Sequence, residues 1–380
     1  MPPKSLVPHP VSHASFNDLS AAGYDVQVID DHASVPEHEK ASLCDLPINW
    51  KCPQPVLKPK VAMLRDAILF GDGSVLLSDG RYIYFDIIFS SEEWRKSQSH
   101  RRLCSIDPTT EGALVRPDMP SMEVSGSCFS ARSNNSRNFG HFVHDMLSRI
   151  YYEDLGVISP GRDRVIAPRM FMPMQEAIFR KVFEKYEIVQ VPPKTALKVE
   201  KLLLPANLCS HEMFNPAAIA ALAARMRRIM TYYAGKERSK VCVSRRDGRL
   251  QDGKHTLGRD FANEEIYENR MRKLGFRVVK ASDLEPESQF ALWANTTDMV
   301  GVHGAGMMNM IMMPDGANYT EISGAASSEP NQPSPCPNWI YRCALSAGHN
   351  VRGIVSTLDS QGSPAIDIER LELALMRNMT

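Results

Sequence analysis

An excess of charge of either sign is the first thing this sequence lacks. Its 44 Lys and Arg residues balance 44 Asp and Glu over 380 residues. A nucleic-acid-binding chain usually carries a basic excess, so nucleic acid is not expected as a partner. There is no apolar run of about 18 residues, the length a membrane-crossing helix needs. The stretch from Met1 to Asn17 is polar, contains Pro and His, and has none of the apolar core of a secretory leader. The eight cysteines include no Cys-x-x-Cys pair, and some, such as Cys242, sit in apolar runs, which suits reduced thiols. Together these absences predict a cytoplasmic protein, with docking at a membrane surface left open. No internal repeat or low-complexity tract is present.

Several catalytic signatures are missing as well. Gly304-x-Gly306 would begin a dinucleotide fingerprint, but Asn309 stands where the third glycine belongs. That argues against a dinucleotide-dependent oxidoreductase. No Gly-Lys-Ser/Thr follows the turn, so it is not a P-loop. No Gly-x-Ser-x-Gly elbow exists to make His303-Gly-Ala-Gly an esterase oxyanion loop.

What is present is a strand, a glycine turn and a helix start between Asp298 and Pro314. Met299, Val300 and Val302 read as a short buried strand. Gly304 and Gly306 allow close backbone approach, and the helix that follows presents unpaired N–H groups and a positive dipole end. An anion, most often a phosphate, is the natural occupant. His303 adds a hydrogen bond or a proton at the strand's carboxyl end.

A second informative stretch runs from Asn138 to Gly156. At about 100° per residue, Val143, Met146, Leu147 and Ile150 share one side of a helix, and His141, His144, Asp145 and Ser148 share the other. The polar side is either a solvated face or a proton-accepting site. It carries two His and one Asp but none of the Lys and Glu usual on a solvated face. A metal site is a third reading, but the spacing is not His-Glu-x-x-His and no remote ligand set accompanies it. No metal is therefore expected.

The rest of the chain alternates. Residues 1–58 are rich in Pro, Ser, His and Asp and read as a poorly ordered arm. Apolar runs around Ala67, Val75 and Tyr82, separated by glycine turns, predict an antiparallel patch. Residues 92–120 are charged and contain Pro, and read as a loop. Arg164 to Ala167, Ile188 to Val191 and Val199 to Leu204 read as strands. Helices are expected from Pro173 to about Tyr186 and after an Asn215 cap. Polar Gly235 to Ser239 marks a domain boundary. Beyond it, strands at Val241–Ser244, Phe276–Val279, Met299–Val302 and Tyr319–Ile322 alternate with helices beginning near Asn263, Pro286 and the glycine turn. That pattern predicts a parallel sheet binding its ligand at the strands' carboxyl ends. This rule gathers Ser244, Arg245, Arg246, His303, Gly304, Ala305, Gly306, Asn309 and Glu321. The Arg residues and the helix end suit a diphosphate, though surface charge accounts for one of the two arginines, and Glu321 reads either as a ligand of ribose hydroxyls or as a salt-bridged strand end. Asn263 and Glu264 read as either a helix cap or part of the site. Gln289 and Trp293 read as structural.

His303-Gly-Ala-Gly-x-x-Asn309 with Pro314-x-Gly316 and Glu321-Ile resembles the signature of glycosyltransferase family 61. So, in the same order, do Asn138-x-Gly140-His141-x-x-x-Asp145, Ser244-Arg245, Arg259-x-x-x-Asn263-Glu264-Glu265, Gly275-Phe276 and Gln289. The resemblance covers roughly residues 60–350. It implies an inverting, metal-independent enzyme that moves a sugar from a nucleotide-sugar donor to a saccharide or glycan acceptor, with no further cofactor. The fold expected is α/β, two Rossmann-like domains facing a cleft (GT-B type). An acceptor-side domain spans 59–235 and carries the added antiparallel patch, a nucleotide-sugar domain spans 236–350, and 351–380 packs back on them. Asp145, or His141 with Asp145 as its orienter, is the expected base. Asn138, His144, Arg249, Arg259, Asn263 and Glu264 are further candidates. A nucleotide-binding scaffold without turnover is the alternative. Oligomeric state is not read from the sequence.

Overall fold

The computed structural model describes residues 7–12, 16–21, 23–29, 56–69, 75–76, 82–83, 104–107, 112–115, 121–132, 137–192, 195–209, 215–245, 261, 263–323, 338–359 and 364–376. These residues form two compact units, one up to Ala218 and one from Ile219 onward. The protein is mixed α/β with two main sheets.

The first unit contains β1 (Val7–Ser12), α1 (Phe16–Ala21), β2 (Asp25–Val28), β3 (Lys60–Leu69), β4 (Val75–Leu76), β5 (Tyr82–Ile83), β6 (Cys104–Asp107), β7 (Gly112–Val115) and β8 (Ser121–Ser130). After a composite helix over 139–154 come β9 (Asp163–Ile166), α2 (Pro173–Val182), β10 (Ile188–Val189) and β11 (Ala196–Pro205). In the sheet, β10, β9, β8 and β11 lie side by side and parallel. β3 then pairs antiparallel with β11, and β4 and β5 continue the antiparallel meander. Period-two burial sets the register of the central pair. Leu202 faces Leu64 and Leu204 faces Ala62 across the ladder, all four in the core, while Lys198 and Glu200 point outward.

The antiparallel patch at β3–β5 is as the glycine turns predict. Two other readings change. The stretch 92–120, read as a loop, contains the β6–β7 hairpin. The arm expected over 1–58 contains, among its described residues, α1 and two strands. β1 pairs with β7 and β5, and β2 pairs with β3. Backbone ladders, not local periodicity, hold these short pieces, so no pattern announces them.

Between the sheets in sequence lies α3 (Pro216–Met230). Asn215 caps it, accepting from the Ala218 N–H at 3.0 Å. The second unit then contains β12 (Ser239–Val243), α4 (Glu264–Lys273), β13 (Phe276–Val279), α5 (Pro286–Ala294), β14 (Thr296–Val302), a 3-10 helix (Ala305–Met312), β15 (Asn318–Ser323), α6 (Asn338–Ser346), β16 (Asn350–Val355) and α7 (Ile368–Met376). β12 to β16 form one parallel sheet in the order β13-β12-β14-β15-β16. The sequence reading did not include β16. Counted along the chain this is order 2-1-3-4-5, a doubly wound sheet whose strand order reverses between β12 and β14. A crevice opens at the carboxyl ends of such a pair, and ligands settle there. Cys242, Val300, Ile322 and Ile354 bury one sheet face under Tyr267 and Met271 of α4 and Leu371 and Leu375 of α7. α5 and α6 pack against the 3-10 helix, with Phe290 and Trp293 fully buried. Among the described residues no helix is long and apolar enough to cross a membrane.

Candidate active site

In the second unit, register and pleat build the site at the switch point. Val243 lies opposite Gly301, and Gly301 lies opposite Glu321. Side chains two apart on a strand share a face, so Arg245, His303 and Glu321 emerge on one face of three adjacent strands. Arg245 Nη1 donates to the His303 carbonyl. His303 Nδ1 faces Glu321 Oε1 in a close pair, and the Tyr319 hydroxyl donates to Glu321 Oε2 at 2.6 Å. Glu321 is 1% exposed. His303 and Tyr319 thus engage one oxygen of Glu321 each. Burial, then the neighbouring Glu321 charge, pushes the Tyr319 phenol well above its usual range. It therefore stays a donor.

Gly301 of β14 and Gly304 of the turn each leave room for a neighbour. A Cβ on Gly301 would stand 2.7 Å from Met307 Sδ and 3.1 Å from Val243 Cβ. A Cβ on Gly304 would stand 2.7 Å from Arg245 Nη1. The guanidinium thus lies against the turn because residue 304 has no side chain. The helix that follows is 3-10 for its whole length, Ala305–Met312, with Met307, Met308, Met310 and Met312 buried. Its first N–H groups lack intrahelical acceptors, as at any helix start, and supply the positive end. Asn309 is buried and donates back to the Gly306 carbonyl at 2.8 Å.

The structure gives other candidates structural duties. The Ser244 hydroxyl donates to Glu268 at 2.6 Å, tying the end of β12 to α4. Asn263 makes no side-chain cap. Its amide instead grips the backbone of Ile366, donating to the carbonyl at 2.7 Å and accepting from the N–H at 2.9 Å. Glu264 begins α4 beside it. Gln289 donates to the Leu284 carbonyl at 3.0 Å, as a structural residue would. Arg246, Arg249 and Arg259 lie outside the described residues.

In the first unit, the composite helix follows the carboxyl end of β8. Asn138 starts it, accepting from the N–H groups of Gly140 at 2.8 Å and His141 at 3.3 Å. A π turn covers Phe142–Met146, a 3-10 turn Leu147–Ile150 and an α turn Tyr151–Asp154, and Gly156 (φ 72°) ends it as expected. The polar side is not a solvated face. His144, Asp145, Ser148 and Arg149 are all buried. The wider π turn breaks the even 100° spacing, and π turns occur often at functional sites. Asp145 is fully buried, with Oδ2 3.0 Å from His141 Nδ1 and Oδ1 in a shorter contact with His144 Nδ1. Burial alone would raise its pKa. The His144 charge and the hydrogen bonds from both imidazoles outweigh that and hold the carboxyl well below the usual carboxylate range. His141, 15% exposed, is the member of the cluster that solvent reaches. Among the described residues His141, His144 and Asp145 are also the group whose ligand atoms could hold a metal, all within 4.8 Å of one another.

A family model described as Glycosyltransferase 61 matches residues 139–320, just under half of the chain. This region belongs to the glycosyltransferase 61 family. Over that region the chain is similar to glycosyltransferases, and the match takes in the His141–Asp145 pair, Arg245 and His303, ending one residue before Glu321. No curated protein matches the chain.

Sequence reasoning missed two residues that support these clusters. Tyr319 shares a face with Glu321, and the period of two along β15 could have found it. Buried Arg149 donates to the carbonyls of Ser130 at 3.0 Å and Arg132 at 2.8 Å, fixing the composite helix to the end of β8. No local signal marks that role.

Proposed function

We propose that the protein is an inverting, metal-independent glycosyltransferase that moves a sugar from a nucleotide-sugar donor, a UDP-sugar, to a saccharide acceptor in polysaccharide or glycan assembly on the cytoplasmic side. The observation that carries this is the Arg245, His303 and Gly304–Gly306 cluster at the switch point of the second sheet. A guanidinium, a helix start and an imidazole there suit a diphosphate. The GT-B reading, two Rossmann-like units, draws on the parallel strands each unit contains.

The reaction is a single displacement. An acceptor hydroxyl oxygen forms a bond to the anomeric carbon as the bond to the donor phosphate breaks, inverting that centre. The hydroxyl proton goes to His141 through Nε2, since Nδ1 faces Asp145. Asp145 keeps the ring oriented and stabilises the imidazolium that forms. Arg245 and the N–H groups at Gly304–Gly306 balance charge on the departing nucleoside diphosphate, and His303, oriented by Glu321, donates to a phosphate oxygen. The positive charge a divalent cation would bring thus comes from the chain.

A thermal-shift screen against nucleoside diphosphates and nucleotide sugars, with EDTA present and NAD(P) as control, tests this. A ligand at a hundred times its Kd adds about 2.7 kcal/mol of stability. A UDP shift in the wild type that vanishes in Arg245→Ala is expected. No shift with any nucleotide overturns the reading, and a shift without sugar turnover selects a binding scaffold instead.

A further inference from the structure

The second unit has a cavity of about 600 Å³ at the opposite, amino edge of its sheet. Lys236 and Arg238 reach it from the segment leading into β12, and Arg277 reaches it from the start of β13. One carboxylate, Glu237, shares the lining, and Leu284, Ala291 and Leu292 give it an apolar side. Its size is that of a small-molecule site, which typically runs about 300–1,000 Å³.

Three cations from two separate stretches meet here around a single carboxylate. Among the described residues none of the three is in an ion pair. Three like charges around one counter-charge leave a net positive excess that repels, and an anion between them relieves the repulsion. The entering segment is fixed in place. Asn295 accepts from the Gly235 N–H at 2.7 Å and donates to the Tyr233 carbonyl at 3.1 Å. Lys236 and Arg238 are thus carried on an anchored backbone.

We propose that this cavity binds a phosphate-bearing anion at a site separate from the carboxyl-edge cluster. Two guanidiniums match phosphate oxygens through paired N–H donors, and an ammonium adds a point charge. The apolar side suits a ligand with a non-polar body beside its phosphate. β14 has seven residues, so at about 3.3 Å per residue the two edges stand roughly 20 Å apart and cannot share one ligand. The phosphate is either the headgroup of an anionic lipid or part of a soluble compound. This inference does not rest on the reaction proposed above.

The test uses the full chain and two variants, Arg245→Ala and Arg238→Ala/Arg277→Ala. Calorimetric titration with inorganic pyrophosphate is expected to show binding that survives Arg245→Ala and weakens at least tenfold in the double variant. Both arginines are exposed, so circular dichroism should show the fold kept. Equal affinity in the wild type and the double variant overturns the proposal, as does loss of all binding in Arg245→Ala. Co-sedimentation with phosphatidylcholine vesicles, with and without phosphatidylglycerol, separates the sources. Pelleting with the acidic vesicles that the double variant loses assigns a lipid headgroup. Pyrophosphate binding without pelleting assigns a soluble phosphate compound. The UDP response at the other edge reads the transferase independently, so either idea can fail alone.

Discussion

His141 and His303 are each tied through Nδ1 to a buried carboxylate, Asp145 and Glu321. The two pairs differ in what the histidine is proposed to do. His141→Ala removes the base and should lower turnover by about 10²–10⁴ in single-turnover assays, with donor affinity unchanged. Asp145→Asn keeps His141 but not its orientation, so turnover should fall and the pH profile should change. Near-normal turnover in both variants would remove this cluster from the reaction. Asp145 also bears on stability. Its folded pKa is depressed, so it contributes stability above the unfolded value of about 3.9 and loses it as pH falls below that. His349 acts in a higher window. Burial lowers its pKa to about 4, against the raising effect of its hydrogen bond to the Met310 carbonyl and with a lowering contribution from Arg227. Below the unfolded value of about 6.5 the unfolded chain takes the proton first, so stability falls between about pH 6.5 and 4. His349→Gln should reduce the drop in unfolding free energy between pH 7 and 5, read from urea titrations, by on the order of 1–2 kcal/mol.

The strand, glycine turn and short helix from Thr296 to Met312 behave as one element, and two glycine variants should separate its duties. Gly301→Ala drives a Cβ into Met307 and Val243 in the core, so it should cost roughly 1–3 kcal/mol in chemical denaturation. Gly304→Ala meets only the flexible end of Arg245. It should leave the denaturation midpoint nearly unchanged and weaken UDP binding about as Arg245→Ala does. This element was legible in the sequence because its signals are local: an apolar run, paired glycines and a polar residue at the strand end. The composite helix was half legible. Residues 138 and 156 mark its ends, but a uniform 100° wheel cannot show a π turn, and so it left open whether the face that carries Asp145 is solvated or a site. Asn263 misled for a related reason. Its position says cap, while its partner, Ile366, is 103 residues away.

For the molecule as a whole, strands flanked by helices could be read from the chain, and the parallel sheet of the second unit follows from them. The N-terminal strands and β16 could not, since what stabilises them is a neighbour distant in sequence. The charge balance has its own consequence. With a sequence pI near 7.2, solubility should pass through a minimum close to neutrality, which turbidity across pH 5 to 9 would show. Protein synthesis gives a further one. Asn263 holds the backbone of Ile366, and Arg270 pairs with Glu372, so α4 is closed over by a segment made about a hundred residues later. Until that segment leaves the ribosome, Tyr267 and Met271 have no Leu371 and Leu375 to pack against. A nascent chain stalled near residue 360 should therefore present this apolar face to chaperones, and the released chain should not.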